Sequence, residues 1–186
     1  MKEQNILKLI MEMGVLSRTP RTGPYHFGIT NQETTGAHVF RTSILAYFIA
    51  KEENADSDKV LKMSLFHDIP ESRVLNQTLI QKNYVKEDQS KAFTDQLRGL
   101  KGSDELEQLF QEFKKRESLE AKIVLDANRL EALIEAKEYI QQGVKSMERM
   151  FQDKRDKLHT KTAQKLFDTL EKETIYWWND QTLFKT

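Results

Sequence analysis

The dipeptide His67-Asp68, in the run KMSLFHDIPESR, follows an apolar helical stretch. His38 lies 29 residues before this histidine and Asp126 lies 58 residues after this aspartate. A bare His-Asp pair carries little information in a chain with four histidines. Its context carries more, because a helix buries positions spaced three and four apart. His38 leads a stripe through Thr42, Leu45 and Ile49. Asp68 closes the stripe of Leu61 and Leu65, with His67 one step round on the row of Val60 and Ser64. Asp126 interrupts the run Leu119, Ile123, Leu130 and Leu133. A carboxylate inside a core is costly unless it is paired or bound to a cation. Two neutral imidazoles and two carboxylates balance one divalent metal ion, so His38, His67, Asp68 and Asp126 are candidate metal ligands. Mixed nitrogen and oxygen donors leave Mn, Co, Fe, Ni, Zn and Mg open. The competing reading makes His38 a satisfied core histidine and the acids capping or salt-bridged residues.

Two helices must bring these groups together. Residues 35–53 and 58–68 read as helices joined by the short polar link Asn54-Ala55-Asp56-Ser57, which favours an antiparallel pair. His38 then starts one helix and His67 ends the other, at the same end of the hairpin. Pro70 removes a backbone donor and biases Ile69 away from helical geometry, predicting a break that leaves Glu71 near the site. Helical spacing recurs along the chain and period-two alternation is scarce, so the fold class is all-α, a single-domain helical bundle over 1–186. Further helices are expected at about 2–16, 72–85, 88–98, 104–117, 118–142, 144–157 and 160–179, with the metal-site core at about 34–142 and the helices of 144–179 packed on it. The segment SRTPRTGPYHFGITNQETTG, residues 17–36, is long and irregular, as functional loops often are. Its Gly23 to Gly28 spacing is no phosphate-binding P-loop, because Ile29-Thr30 stands where Lys-Ser/Thr is required.

With 186 residues, one domain can bury a substantial core. Lys plus Arg and Asp plus Glu are both 29, so no global field favours nucleic acid or an anionic membrane, and neither is expected as a partner. Cysteine is absent, which removes disulfides, thiol nucleophiles and Cys-ligated zinc. The start MKEQNILKLI has no signal-peptide pattern and the longest apolar stretch, Ile44 to Ala50, is too short to span a bilayer, so a cytoplasmic protein is expected. The basic residues Lys154, Arg155, Lys157, His159 and Lys161 alternate with Asp153 and Asp156, as on a solvated face. Tyr176-Trp177-Trp178 is expected to pack the last helix on the core, with a partner surface as the alternative.

The stretches LSRTPRTGPYHFGI, TTGAHVFRTSILAYFIA, LFHDIPES and KIVLDANRLEALIEAKEYIQQG resemble the HD-domain metal-dependent phosphohydrolases, in particular the branch containing the five-prime deoxynucleotidases and their uncharacterised relatives. The similarity covers roughly residues 7–142. It implies one divalent ion on His38, His67, Asp68 and Asp126, and a proton-transfer role for Glu71. It also implies a phosphate contact from Arg21, with Arg18 as a second candidate. Three positions depart from the family pattern. Ala37 replaces an acidic residue before the first histidine, which predicts a missing hydrogen bond behind that ring. Leu75-Asn76 stands for Gly-Asp, leaving Asn76 as a polar substrate contact, and Thr22-Gly23-Pro24 follows the loop arginine where tryptophan is usual.

The implied activity is phosphomonoester hydrolysis on a nucleoside monophosphate or a similar small phosphate. The alternatives are a phosphodiesterase or other nucleotide hydrolase, and a degenerate metal-binding module acting as partner or sensor. The oligomeric state stays open from the sequence; members of the family are often dimers, which makes a homodimer the state to test.

Overall fold

The computed structural model describes residues 2–179 and is built from α-helices and short 3-10 turns, with no strand among the described residues. Among the described residues eight α-helices follow one another: α1 Lys2–Leu16, α2 Thr35–Glu52, α3 Ser57–Phe66, α4 Glu71–Val74, α5 Gln89–Leu97, α6 Ser103–Lys115, α7 Leu119–Gln141 and α8 Lys161–Leu170. Several starts are set by side-chain caps, in which a short polar group takes up an otherwise orphaned amide. Thr34 accepts from Ala37 N at 3.2 Å, Asp56 from Asp58 N and Lys59 N at 3.1 and 3.0 Å, and Ser118 from Ala121 N at 3.2 Å.

The longest helix, α7, forms the spine. It packs against α2, α3, α6 and α8, and α2 lies along α3. The main core joins Ala46, Ile49 and Ala50 of α2 to Val60 and Met63 of α3, to Ile123, Val124, Ala127, Leu130 and Leu133 of α7, and to Ala163 and Phe167 of α8. A smaller core under α1 and α4 gathers Leu16, Ile69, Phe93, Leu97 and Phe110, with the rings of Phe93 and Phe110 stacked at 4.2 Å. Buried alanines on α2 and α7 let the helix axes approach closely, which holds the start of α2 and the end of α3 against one stretch of α7.

The loop from 17 to 34 is tied at its base. Pro20 and Thr34 form an isolated antiparallel bridge, Arg21 N donates to Glu33 O at 2.9 Å, and Thr35 N donates to Thr19 O at 2.8 Å. Gly36, in the first turn of α2, makes this possible. A Cβ there would meet the Ser17 backbone at 3.2 Å and the Leu16 carbonyl carbon at 3.3 Å, so any other residue would push the end of α1 back from α2 by a few tenths of an ångström.

Three expected helices differ. Residues 72–85 form only the single turn of α4, a loop and a 3-10 turn at Gln81–Asn83, because Leu75 leaves the helix with φ 64° and ψ 162°. Residues 144–157 are two 3-10 stretches, Lys145–Phe151 and Arg155–Lys157, interrupted by Asp153 at φ 55°. The last helix ends at Leu170 rather than near 179, and Tyr176, Trp177 and Trp178 are 43%, 54% and 51% exposed, so they do not pack as core.

Candidate metal centre and phosphate cleft

His38 sits in the first turn of α2, where its ring is fully buried, and His67 is the residue that closes α3. Their ring centroids are 6.0 Å apart, which places the two helix ends together as an antiparallel hairpin requires. Asp68, one residue on in the turn to α4, puts Oδ2 3.2 Å from His67 Nε2 and 3.8 Å from His38 Nε2. These three side chains offer ligand atoms within 4.8 Å of one another.

Each imidazole is aimed from behind. His67 Nδ1 lies 2.6 Å from the Ser64 carbonyl, which can only accept, so Nδ1 carries the proton and Nε2 presents its lone pair to the cluster. That Nε2 is buried and has no hydrogen-bond partner. A buried nitrogen lone pair without a donor is the feature a cation would satisfy. His38 Nδ1 is bonded to Glu131 Oε2, and Thr42 Oγ1 stands 3.4 Å from its Nε2. The hydrogen bond expected to be missing at Ala37 is therefore supplied by Glu131 of α7, while Ala37 itself is exposed. Arg41 neutralises Glu131 across 3.3 Å and also pairs with Glu33 and Glu138. A second metal-like grouping of Glu33, His38 and Glu131 thus already has its cation in Arg41.

The electrostatics separate the two histidines. Burial, reinforced by the Arg21 charge, holds the His38 pKa well below its ordinary value, so this ring is neutral. Burial also opposes charging of His67, but the adjacent Asp68 carboxylate outweighs it and raises the pKa. Asp68 is held below the usual carboxylate range: burial works against its charge, and His67, His38 and Arg21 overcome that cost. A bound cation would take the place of the proton that His67 and Asp68 compete for.

Glu71 opens α4 beside this cluster and is buried. Burial, followed by the Asp68 charge, pushes its pKa up to about 7. Thr35 Oγ1 donates to its Oε2 at 3.2 Å and Asn76 Nδ2 donates to its Oε1 at 2.8 Å. Asn76 in turn accepts from Thr22 N at 3.0 Å and Thr22 Oγ1 at 2.8 Å, which ties the Arg21 loop to the acid. Arg21, His67, Asp68, Glu71 and Asn76 line one polar cleft of about 250 Å³.

Two expected site residues lie elsewhere. Arg18 is exposed, with its guanidinium nitrogens folded back over Gly14 of α1, and it does not line the cleft. Asp126 is fully buried on the far side of α7, where its oxygens accept from His159 N, His159 Nδ1, Thr160 N and Thr160 Oγ1 at 2.8 to 3.0 Å. There it fastens the segment that enters α8. The apolar run around Asp126 indicated burial, which is correct, but burial did not distinguish a cation from a set of amide donors. The reading also missed Lys82, Lys114 and Arg116 around the cleft and Asn128 on its wall. Lys82 lies in a 3-10 turn, Lys114 in the last turn of α6 and Arg116 at its cap, and single basic residues at such positions leave no periodic signal.

A family profile described as HD domain matches residues 13–171. A 5'-deoxynucleotidase HDDC2 from Bos taurus is 26% identical over 141 residues, covering 73% of this chain and 68% of that protein. The 5'-deoxynucleotidase hdd1 of Schizosaccharomyces pombe is 28% identical over 148 residues, 74% of each. Among solved structures, a conserved hypothetical protein from Pyrococcus furiosus superimposes with a TM-score of 0.78 at 26% identity, over 90% of this chain and 99% of that one.

Proposed function

The chain belongs to the HD-domain family, and from that premise we propose that it is a metal-dependent phosphohydrolase that releases phosphate from nucleoside monophosphates. The observation that carries this reading is the convergence of His38 Nε2, His67 Nε2 and Asp68 on a cleft whose wall also holds Arg21 and Glu71. The relatives named as 5'-deoxynucleotidases support the choice of substrate.

His38, His67 and Asp68 would hold one divalent ion, and the unpartnered His67 Nε2 fits that role. When bound, such an ion supplies Lewis acidity toward a phosphoryl oxygen and acidifies water. The chain's own groups do the rest. Arg21 grips the phosphate through charge-assisted hydrogen bonds from its planar guanidinium. Glu71, with a pKa near 7, takes a proton from the attacking water or returns one to the leaving oxygen. Thr35 and Asn76 hold that carboxyl in place, and the loop tied to Asn76 by Thr22 carries Arg21 with it.

A second reading, a nucleotide bearing further phosphate, is favoured by Lys82, Lys114 and Arg116 at the same cleft. The test is phosphate release by the chelated full chain resupplied with each of Mn, Co, Fe, Ni, Zn and Mg. Its substrates are deoxynucleoside and ribonucleoside monophosphates, cyclic nucleotides and polyphosphorylated nucleotides. Turnover on monophosphates supports the main reading. Turnover confined to cyclic or polyphosphorylated substrates replaces it, and none with any ion leaves a metal-binding module.

The same proposal includes a homodimer and a cytoplasmic location. Phe40, Ile44 and Phe48, exposed along one face of α2, and the exposed Tyr176, Trp177 and Trp178 support self-association, which sedimentation measures. Among the described residues no helix is long and apolar enough to cross a membrane.

A further inference from the structure

Helix α7 carries two polar residues at the depth of the site, Asp126 and Asn128, and only one of them can face the cleft. Residues two apart on an α-helix point about 200° away from one another. Asp126 points toward the entry of α8, and both of its oxygens are taken up by His159 and Thr160. Asn128 lies on the cleft wall with His67, Asp68 and Glu71. It is near enough to the His38 ring to bear on that ring's protonation. Three residues on, the same face of α7 presents Glu131, which holds His38 from behind.

We propose that Asn128, through its amide oxygen, is the ligand that α7 contributes to the divalent ion, so that the ion meets two imidazoles, one carboxylate and one neutral oxygen. This rests on reading the cleft as a metal centre. The amide has physical consequences on both sides of the binding equilibrium. With one protein carboxylate fewer, the bound ion keeps more positive charge toward substrate phosphate but is held less tightly, since ligand charge count tunes affinity for hard cations. Without an ion, a carboxylate at 128 would crowd the carboxylates of Asp68 and Glu71 on the same cleft wall. The amide therefore lets the cleft form before the ion arrives, and it makes metal uptake readily reversible.

The experiment is calorimetric titration of the chelated full chain with Mn²⁺, together with Co²⁺ absorption spectra, for the wild type, N128D, N128A and D126N. N128D should tighten Mn²⁺ binding by about tenfold or more and shift the Co²⁺ bands, while N128A should weaken binding by about tenfold. D126N should leave affinity within about twofold and keep the Co²⁺ spectrum, while lowering thermal stability because four donors lose a charged acceptor. If D126N fails to fold, the two Asn128 variants decide alone. Wild-type affinity and spectrum in both N128D and N128A would overturn the assignment, as would a wild type that takes up no ion. Ion binding that follows the expected order without phosphate release from any nucleotide would sustain this assignment and overturn the activity proposed above.

Discussion

Glu71 is the residue whose surroundings say most about its role, because it is buried, raised to about 7 and held at both oxygens. A purely structural acid at a helix start would sit in water near its ordinary pKa. Glu71→Gln keeps the shape and part of the hydrogen bonding while removing proton transfer. It should lower kcat by about two orders of magnitude with metal content unchanged; normal turnover in the metal-loaded variant would remove Glu71 from the chemistry. In the proposed reaction Arg21 acts on the phosphate in the ground state as well as during attack. Arg21→Ala should therefore raise KM by roughly thirtyfold, the equivalent of about 2 kcal/mol for a charged hydrogen bond, with metal content preserved. An unchanged KM would leave Arg21 as a structural cation. His38, His67, Asp68 and Glu71 were legible in the sequence because each falls at a helix end or on an apolar row. Asp126 and Asn128 were not separable, because an apolar run shows only that one face is buried and not what meets a polar group there.

Between α4 and the following loop, Leu75 adopts φ 64° and ψ 162°, a region that side chains with a Cβ avoid. The strain of about 1 to 3 kcal/mol delivers Asn76 onto Glu71. Leu75 is 55% exposed, so little packing opposes its loss. Leu75→Gly should stabilise the protein by about 1 kcal/mol net of unfolded-chain entropy, a rise of about 2 to 4 °C in Tm. A fall in Tm would show that the leucine side chain contributes more than the strain costs. A second element-level anchor is Glu12 of α1, which accepts from Ser72, from Arg73 at 2.7 and 2.8 Å, and from Gln96 at 2.7 Å. These bonds, that from Arg73 first, hold its pKa down at about 2 against an ordinary 4.5. The folded state thus prefers the charged form. The associated stability is present above about pH 4.5 and is lost as the pH falls toward 2. Solvent screening at this partly exposed site reduces it to about 1 kcal/mol. Glu12→Gln should be less stable than the wild type at neutral pH, and the gap measured by denaturant melts should close between pH 4.5 and 2. A gap independent of pH would assign the loss to packing.

For the molecule as a whole, the proposed metal ligands come from α2, from the turn that follows α3 and from α7, so an ion that binds only the folded chain stabilises the entire bundle. At a free Mn²⁺ concentration 100-fold above Kd, linkage predicts about 2.7 kcal/mol, or roughly 5 to 10 °C in Tm, reversed by chelation. No metal-dependent change in Tm would contradict a site shared among these helices. Much of this architecture is written locally: capping residues, 3.6-residue periodicity and the short 53–56 link are enough to specify a helical hairpin with both histidines at one end, and composition excludes cysteine chemistry. The failures have one cause. The segments expected to be helical at 72–85 and 144–157 carry helical patterns, but backbone turns at Leu75 and Asp153 break them, the first beside Asn76, which is tied to Thr22 54 residues away. In the same way, the direction in which α7 turns Asp126 is decided by the amides of His159 and Thr160, 33 and 34 residues away. Periodicity records which residues leave water, a property of one helix. Which partner meets a buried polar group depends on where other helices end, and only the tertiary structure decides that.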